Sequence, residues 1–284
     1  MRSLAPAARP VAWVSPTRFG TFLIDTAAIA DIEIRKVLHD PYELVQRAVQ
    51  PVLWLLIFGE VMSAARAIPT GNLPYLDFLA PGVLAQSALF SAIFYGITVV
   101  WERDLGIVQR YLVSPASRTA LVAGKALAAG LRALTQAFIV YVVALLIGVH
   151  VLLDPLRIVG VALAVILGSG AFAMFSLSIA ALIKNRDRVM GFGQLMTMPL
   201  FFASSAIYPV ALMPSWLQAI SAVNPLTYMV GATRALMVTP DIDPAAIALD
   251  FGVLSIWVIV LMLIAARLYP RVAVRSTCRI GAPC

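Results

Sequence analysis

Three groups of polar residues in this sequence could do chemistry, and each is set among apolar neighbours. The first is the run Trp101 to Arg118, where Glu102, Arg103, Asp104, Arg110 and Arg118 mix with Leu105, Ile107, Val108, Tyr111, Leu112 and Val113. Gly106 lies inside it, and Ser114-Pro115 should end it. A short amphipathic helix of this kind can bury apolar groups and pair charges at once, as docking to a soluble partner requires. A helix lying on the membrane surface is the blander alternative. The second group is Ser87, Ser91, Tyr95 and Thr98, and the third is Gln194, Thr197, Ser204 and Tyr208, with Phe201 among them around Pro199. Hydroxyls and amides avoid hydrocarbon, so these two stripes should face protein or a cavity; helix-to-helix bonding and a substrate-facing role fit equally.

Other chemistry is missing. Gly124-Lys125 is the nearest approach to a phosphate-binding loop, but Ala126 stands where Ser or Thr is required and Thr119 where the first Gly should be. The two histidines, His39 and His150, are far apart, and Cys278 and Cys284 sit in a basic tail where free thiols are expected. Neither a catalytic triad nor a metal-ligand set can be assembled, and no bound cofactor is expected. Glu60 is the one acid well inside an apolar stretch. A charge at the centre of a bilayer costs about 2.5–3.5 kcal/mol on insertion scales, so Glu60 should sit near an interface or serve a transport path.

The elements that position these groups follow from composition. Of 284 residues, 61% are hydrophobic and only 12% charged, against about 45–50% and about 25% in soluble domains. That excludes an ordinary soluble enzyme and a disordered chain, and implies an all-α integral membrane protein. The formal charge of +7 comes without a dense basic run or an aromatic RNA motif, so no nucleic-acid partner is expected. Residues 1–18 read as a flexible N-terminus without a cleaved signal, and 19–40 as an amphipathic interface helix carrying the i,i+4 pair Asp31 and Arg35.

Six apolar spans are expected at about 48–65, 78–101, 126–149, 156–183, 189–213 and 247–266, each long enough for roughly 30 Å of hydrocarbon. Pro214 and Asn224-Pro225 break 214–238 into two short pieces, which read as a re-entrant hairpin on the outer side. With both termini inside, 17 of the 21 Lys and Arg fall on the cytoplasmic side, as the positive-inside rule requires. A seventh span would put the tail arginines outside. Gly160, Ala164 and Gly168 form a small-residue seam suited to helix packing.

The run "WERDLGIVQRYLVSPASRTALVAGK" resembles the loop after the second span in ABC-2-type permeases, the membrane subunits of ABC exporters. There an acid-led stretch reaches Leu and Ser-Pro and is followed by Gly-Lys at the next span. "FFASSAIYPVALMPSWLQAISAVNPLTYMVGATRAL" is similar to that family's fifth span and outer hairpin, and "PVLWLLIFG" to its first span. The likeness covers about 44–268, closest in flavour to daunorubicin-resistance drug and lipid exporters, and leaves a cytoplasmic tail at 269–284.

The resemblance implies a multi-pass cell-membrane protein, paired with a second, identical or homologous permease and with two ABC ATPase subunits that hold ATP and Mg. Glu102, Arg103, Asp104, Leu105, Gly106, Val108, Leu112, Ser114, Pro115 and Arg118 would couple to the ATPase. A translocation path for a drug, lipid or glycolipid would be lined by Glu60, Ser87, Ser91, Tyr95, Thr98, Gln194, Thr197, Phe201, Ser204 and Tyr208. An ion-coupled carrier and a membrane-embedded lipid-processing enzyme are the alternatives. They are disfavoured by few intramembrane charges and by the absent catalytic cluster.

Overall fold

The computed structural model describes residues 49–66, 68–71, 73–108, 118–183 and 185–274, with positions 24, 26, 27, 31 and 35; for 118 and 270–274 it gives the backbone alone. The expected N-terminus, most of the interface helix, residues 109–117 and the end of the tail lie outside these. At the described positions of the interface segment the backbone is helical. Arg35 Nε donates to Asp31 Oδ2 at 2.9 Å, as the four-residue spacing predicts.

Every regular element among the described residues is a helix. α1 (Val49–Ala65) contains a π-helical stretch at Trp54–Gly59 and ends at Arg66, which takes a left-handed conformation. α2 (Tyr75–Ile97) runs on through Thr98 into α3 (Val99–Asp104). α4 (Arg118–Ile147) stops at Gly148, whose φ of 89° suits a residue without Cβ at a helix end. α5 (Pro155–Leu182) opens with Asp154 accepting from the Leu156 N–H and Pro155 in the first turn. Asn185 caps α6 (Arg186–Phe202) by accepting from the Asp187 N–H. α7 (Ser215–Val223) and α8 (Pro225–Met237) follow, and α9 (Pro244–Val274) closes the bundle.

Four of these helices are long and apolar enough to cross a membrane: Tyr75–Asp104, Thr119–Ile147, Pro155–Leu182 and Pro244–Tyr269. The described part of α1 is a shorter apolar helix of 17 residues, and α6, also of 17 residues, is not among these four. Several boundaries differ from those expected. The helix that carries the expected third span begins at Arg118, one continuous element in which Lys125 is buried. The fifth stops at Phe202 although the sequence stays apolar, and the chain turns through 203–208.

α2 and α5 form the middle of the bundle, packed on each other, on α4 and on α8, with α9 against α5. Two glycines allow this closeness. A Cβ on Gly96 would lie 2.5 Å from the Ala173 carbonyl oxygen of α5, and one on Gly82 would collide with the backbone of Ala206. The seam expected on α5 packs as anticipated: Gly160 faces Leu236 and Gly168 faces Met229, both on α8. In the most apolar stretch of α2, 83% of residues are buried, against 11% in that of α9. The exposed residues of α9 include Ile256, Ile259, Val260, Leu263 and Ile264. A face this apolar is stable in hydrocarbon and not in water.

The two ends of the bundle are chemically distinct. At one, His150 donates its backbone N–H to Asp77 and places Nδ1 3.0 Å from the same carboxylate, joining the start of α2 to the end of α4. Arg157 donates to the carbonyls of Thr239 and Pro240 there. At the other end, α3, α4 and α6 meet through charged side chains.

Candidate functional site

The charged end is built from Glu102, Arg103, Asp104, Lys125 and Arg186. Lys125 Nζ donates to both oxygens of Glu102, at 2.6 and 2.9 Å, and both residues are less than a tenth exposed. Asp104 accepts from Arg103 at 3.1 Å and pairs with Arg186 at the start of α6. The last turn of α3 is thereby bonded to α4 by one buried pair and to α6 by a half-exposed one. A buried pair of this kind holds its geometry because either charge left alone would be strongly destabilising.

The chain then leaves helical geometry at once. Gly106 has φ 74°, so the expected single helix from Trp101 is interrupted there. Leu105 is 71% exposed beside this turn, whereas Val108 is fully buried within the chain and does not share a free face with it. Glu102 likewise belongs to the clasp with Lys125 and not to an open docking face. Leu112, Ser114 and Pro115 lie outside the described residues, and Arg118 begins α4.

The second-span stripe divides. Ser87 and Ser91 line a cavity of about 330 Å³ together with Gln50, Pro51, Gln86, Phe90, Phe94 and Gln136. Tyr95 turns instead toward α4, with Arg132 and Lys125 at 5.1 and 5.9 Å from its ring centre. Thr98 bonds back to the Tyr95 carbonyl of its own helix.

The fifth-span stripe does not line that cavity. Gln194 is exposed, while Thr197 is fully buried and donates to the Gly193 carbonyl. Phe201 packs edge-on against Trp54 of α1. Ser204 donates to the Phe201 carbonyl and Tyr208 to that of Phe202. Glu60 is exposed, one residue past the π-helical stretch of α1.

Sequence reasoning missed Gln86, Gln136 and Lys125. The signal for Gln86 was a lone amide inside an apolar span, one position before the stripe began. Lys125 was visible as part of a failed phosphate loop and as the end of the motif that begins at Glu102, but neither revealed its pairing with that acid.

The turn between α6 and α7 is held from a distance. Asn224 caps α8 through Leu226 N–H and donates Nδ2 to the carbonyls of Leu200 and Ala203. Arg234 donates to the carbonyls of Phe78 and Ser205 and lies 3.7 Å over the Phe78 ring. Among the described residues, no group of acids, histidines or cysteines could hold a metal ion.

The sequence profile described as ABC-2 type transporter matches residues 25–238. This chain belongs to the ABC-2 type transporter family. Several of its relatives are permeases by name. The chain is 28% identical to ycf38 of Pyropia yezoensis, named as a transport permease, over 82% of this chain and 81% of that one. It is 27% identical to the daunorubicin resistance ABC transporter permease protein DrrB1 of Streptomyces coeruleorubidus, over 70% of each. With nodulation protein J of Rhizobium leguminosarum bv. viciae the identity is 30%, over 78% of this chain and 84% of the relative. For an ABC-2 type chain, the meeting of Glu102 and Lys125 has a further meaning: the acid-led motif and the Gly-Lys that follows it are the two halves of one contact.

Proposed function

We propose that this chain is the membrane permease of an ATP-driven exporter, working as a pair of permeases with two separate ATPase subunits that carry ATP and Mg. In this reading α1, α2, α4, α5, α6 and α9 are the six spans. The charged end and both termini face the cytoplasm, and α7 and α8 form a hairpin that enters and leaves from the outside. The cargo is an amphipathic drug, lipid or glycolipid drawn from the membrane, and the membrane is the cell membrane.

The observation that carries this reading is the clasp at the end of α3. A segment that receives a push from a soluble motor must pass it to several spans without yielding. Here the turn at Leu105-Gly106 hangs from a helix end bonded to α4 through Lys125 and to α6 through Arg186. Movement at that turn would carry the start of α4 and of α6 with it, and α3 continues directly into the buried α2. The exposed Leu105 supplies an apolar knob for a partner groove, and burying a side chain of that size is worth about 1.5–3 kcal/mol.

The test is co-purification of the full chain with ABC ATPase subunits from the same cells, with hydrolysis measured in the reconstituted complex. Leu105→Asp should leave membrane insertion unchanged, and reduce ATPase association or abolish transport-coupled hydrolysis. Normal association and transport in a Leu105→Asp, Leu112→Asp double variant would remove this loop as the docking element.

A further inference from the structure

We infer that the cavity between α1, α2 and α4 binds the uncharged, hydroxyl-bearing headgroup of a membrane amphiphile, a glycosyl ring being the simplest case. Gln86 is 2% exposed and Ser91 3% exposed, both line the cavity, and neither the Gln86 amide nor the Ser91 hydroxyl has a hydrogen-bond partner among the described residues. An unmet buried polar group costs about 1–3 kcal/mol, so a site that keeps two of them on its wall is completed by something that bonds them. The amide needs both a donor and an acceptor, and a hydroxyl supplies both on one atom.

The described wall contains no charged side chain. A phosphate or ammonium brought here would lose its hydration with no charged side chain in the described wall to pair it, which favours a neutral head. Phe90 and Phe94 stack with ring centres 6.4 Å apart and planes within 16°. They give the cavity an apolar ledge for the carbon face of a ring or the start of a chain. The volume, about 330 Å³, is at the lower end of the range for small-molecule sites, about 300–1,000 Å³. The Gln86 amide atoms are sealed at the wall, each with less than 1 Å² of exposed surface, so seating the ligand includes a rotation of that side chain.

This inference rests on membrane embedding but not on the ATPase partnership, so it is tested on the chain alone. The full chain is placed in nanodiscs of phosphatidylcholine containing either monoglucosyl diacylglycerol or the same fraction of phosphatidylglycerol. Native mass spectrometry then counts retained lipids, and the unfolding midpoint is measured in parallel. The glucosyl lipid should be retained about tenfold over phosphatidylglycerol and should raise the midpoint, as expected when ligand hydrogen bonds outweigh their competitors by about 1.4 kcal/mol.

Gln86→Leu should lose that preference while its midpoint without the lipid stays at or above that of the parent, because leucine removes the unmet amide. Ser91→Ala, which barely alters packing, should weaken retention in the same direction. Equal retention of the two lipids, no glucosyl-dependent shift in the parent chain, or parent-like retention in both variants would overturn the inference. Parent-like retention in Gln86→Leu accompanied by a loss of self-association would do so too, by assigning the amide to a second copy of the chain.

Discussion

Replacing Lys125 with methionine should be among the most damaging single changes that alter no backbone. Methionine keeps the length and the apolar stem of the lysine side chain, so the packing loss is small. What is lost is the ammonium that donates to both Glu102 oxygens. Glu102 is 8% exposed, so water cannot take the vacated place without opening the junction of α3 and α4. Removing one partner of a buried pair costs about 3–5 kcal/mol, mainly the penalty of an orphan charge.

One consequence separates this cause from a general packing defect. A Glu102→Met, Lys125→Met chain, in which no charge is stranded, should be more stable than Lys125→Met alone, since an apolar replacement of a whole buried pair is often near neutral. The assay is equilibrium unfolding in mixed micelles of the parent, both single variants and the double. A loss below about 1 kcal/mol in Lys125→Met, or strict additivity in the cycle, would refute the claim that this pair fastens the charged end.

Gly96→Val should destabilise by at least about 1–3 kcal/mol, because its Cβ would press on the Ala173 carbonyl, and loss of folded yield in the membrane would report it. Asn224→Ala removes a helix cap and the donor to two carbonyls, and should lower the unfolding free energy by about 1–3 kcal/mol. Arg234→Met strands the carbonyls of Phe78 and Ser205 and should cost a similar amount, about 1–3 kcal/mol, with the turn at 203–208 becoming sensitive to protease. In a background where Cys278 and Cys284 are serine, a cysteine at Asn185 should label only from the cytoplasm and one at Asp154 only from outside. Labelling of both from one side would break the six-span arrangement.

Signals that act along one segment were legible in the sequence. Asn224-Pro225, expected to break 214–238, does so as a capping side chain followed by a residue without N–H, and Asp154-Pro155 starts α5 by the same device. The Asp31 and Arg35 pair and the glycine seam of α5 likewise depend on spacing along one helix. What escaped the sequence depends on contacts between distant segments. Glu102 and Lys125 stand at opposite ends of a recognisable motif, but only the fold brings them within 2.6 Å. The helix expected as a fifth span ends at Phe202, where carbonyls beyond it are held by Asn224 and Arg234, the cap and a residue of a later helix that no periodicity in 189–213 reveals. The hydroxyl stripe of α2 was real as a pattern, yet Tyr95 left it for two cations on α4 while Gln86, outside the pattern, took a place at the cavity.

The unequal enclosure of α2 and α9 sets two different kinds of mutational constraint on helices that look alike in composition. α2 has protein as its solvent on nearly every side, and it already accommodates Asp77, Gln86 and Ser91 in its interior. What it cannot accommodate is a change of volume, since neighbours such as Ala173 and Ala206 leave no slack at its glycines. α9 is left uncovered by the chain's own helices over most of its surface, and where hydrocarbon covers it, fluid chains refit around any apolar shape. There the limit is polarity alone. Homologous sequences should therefore drift freely among leucine, isoleucine, valine and phenylalanine along the outer face of α9. Along α2 they should hold residue size and exchange polarity, so that the more variable helix is also the more uniformly hydrophobic one.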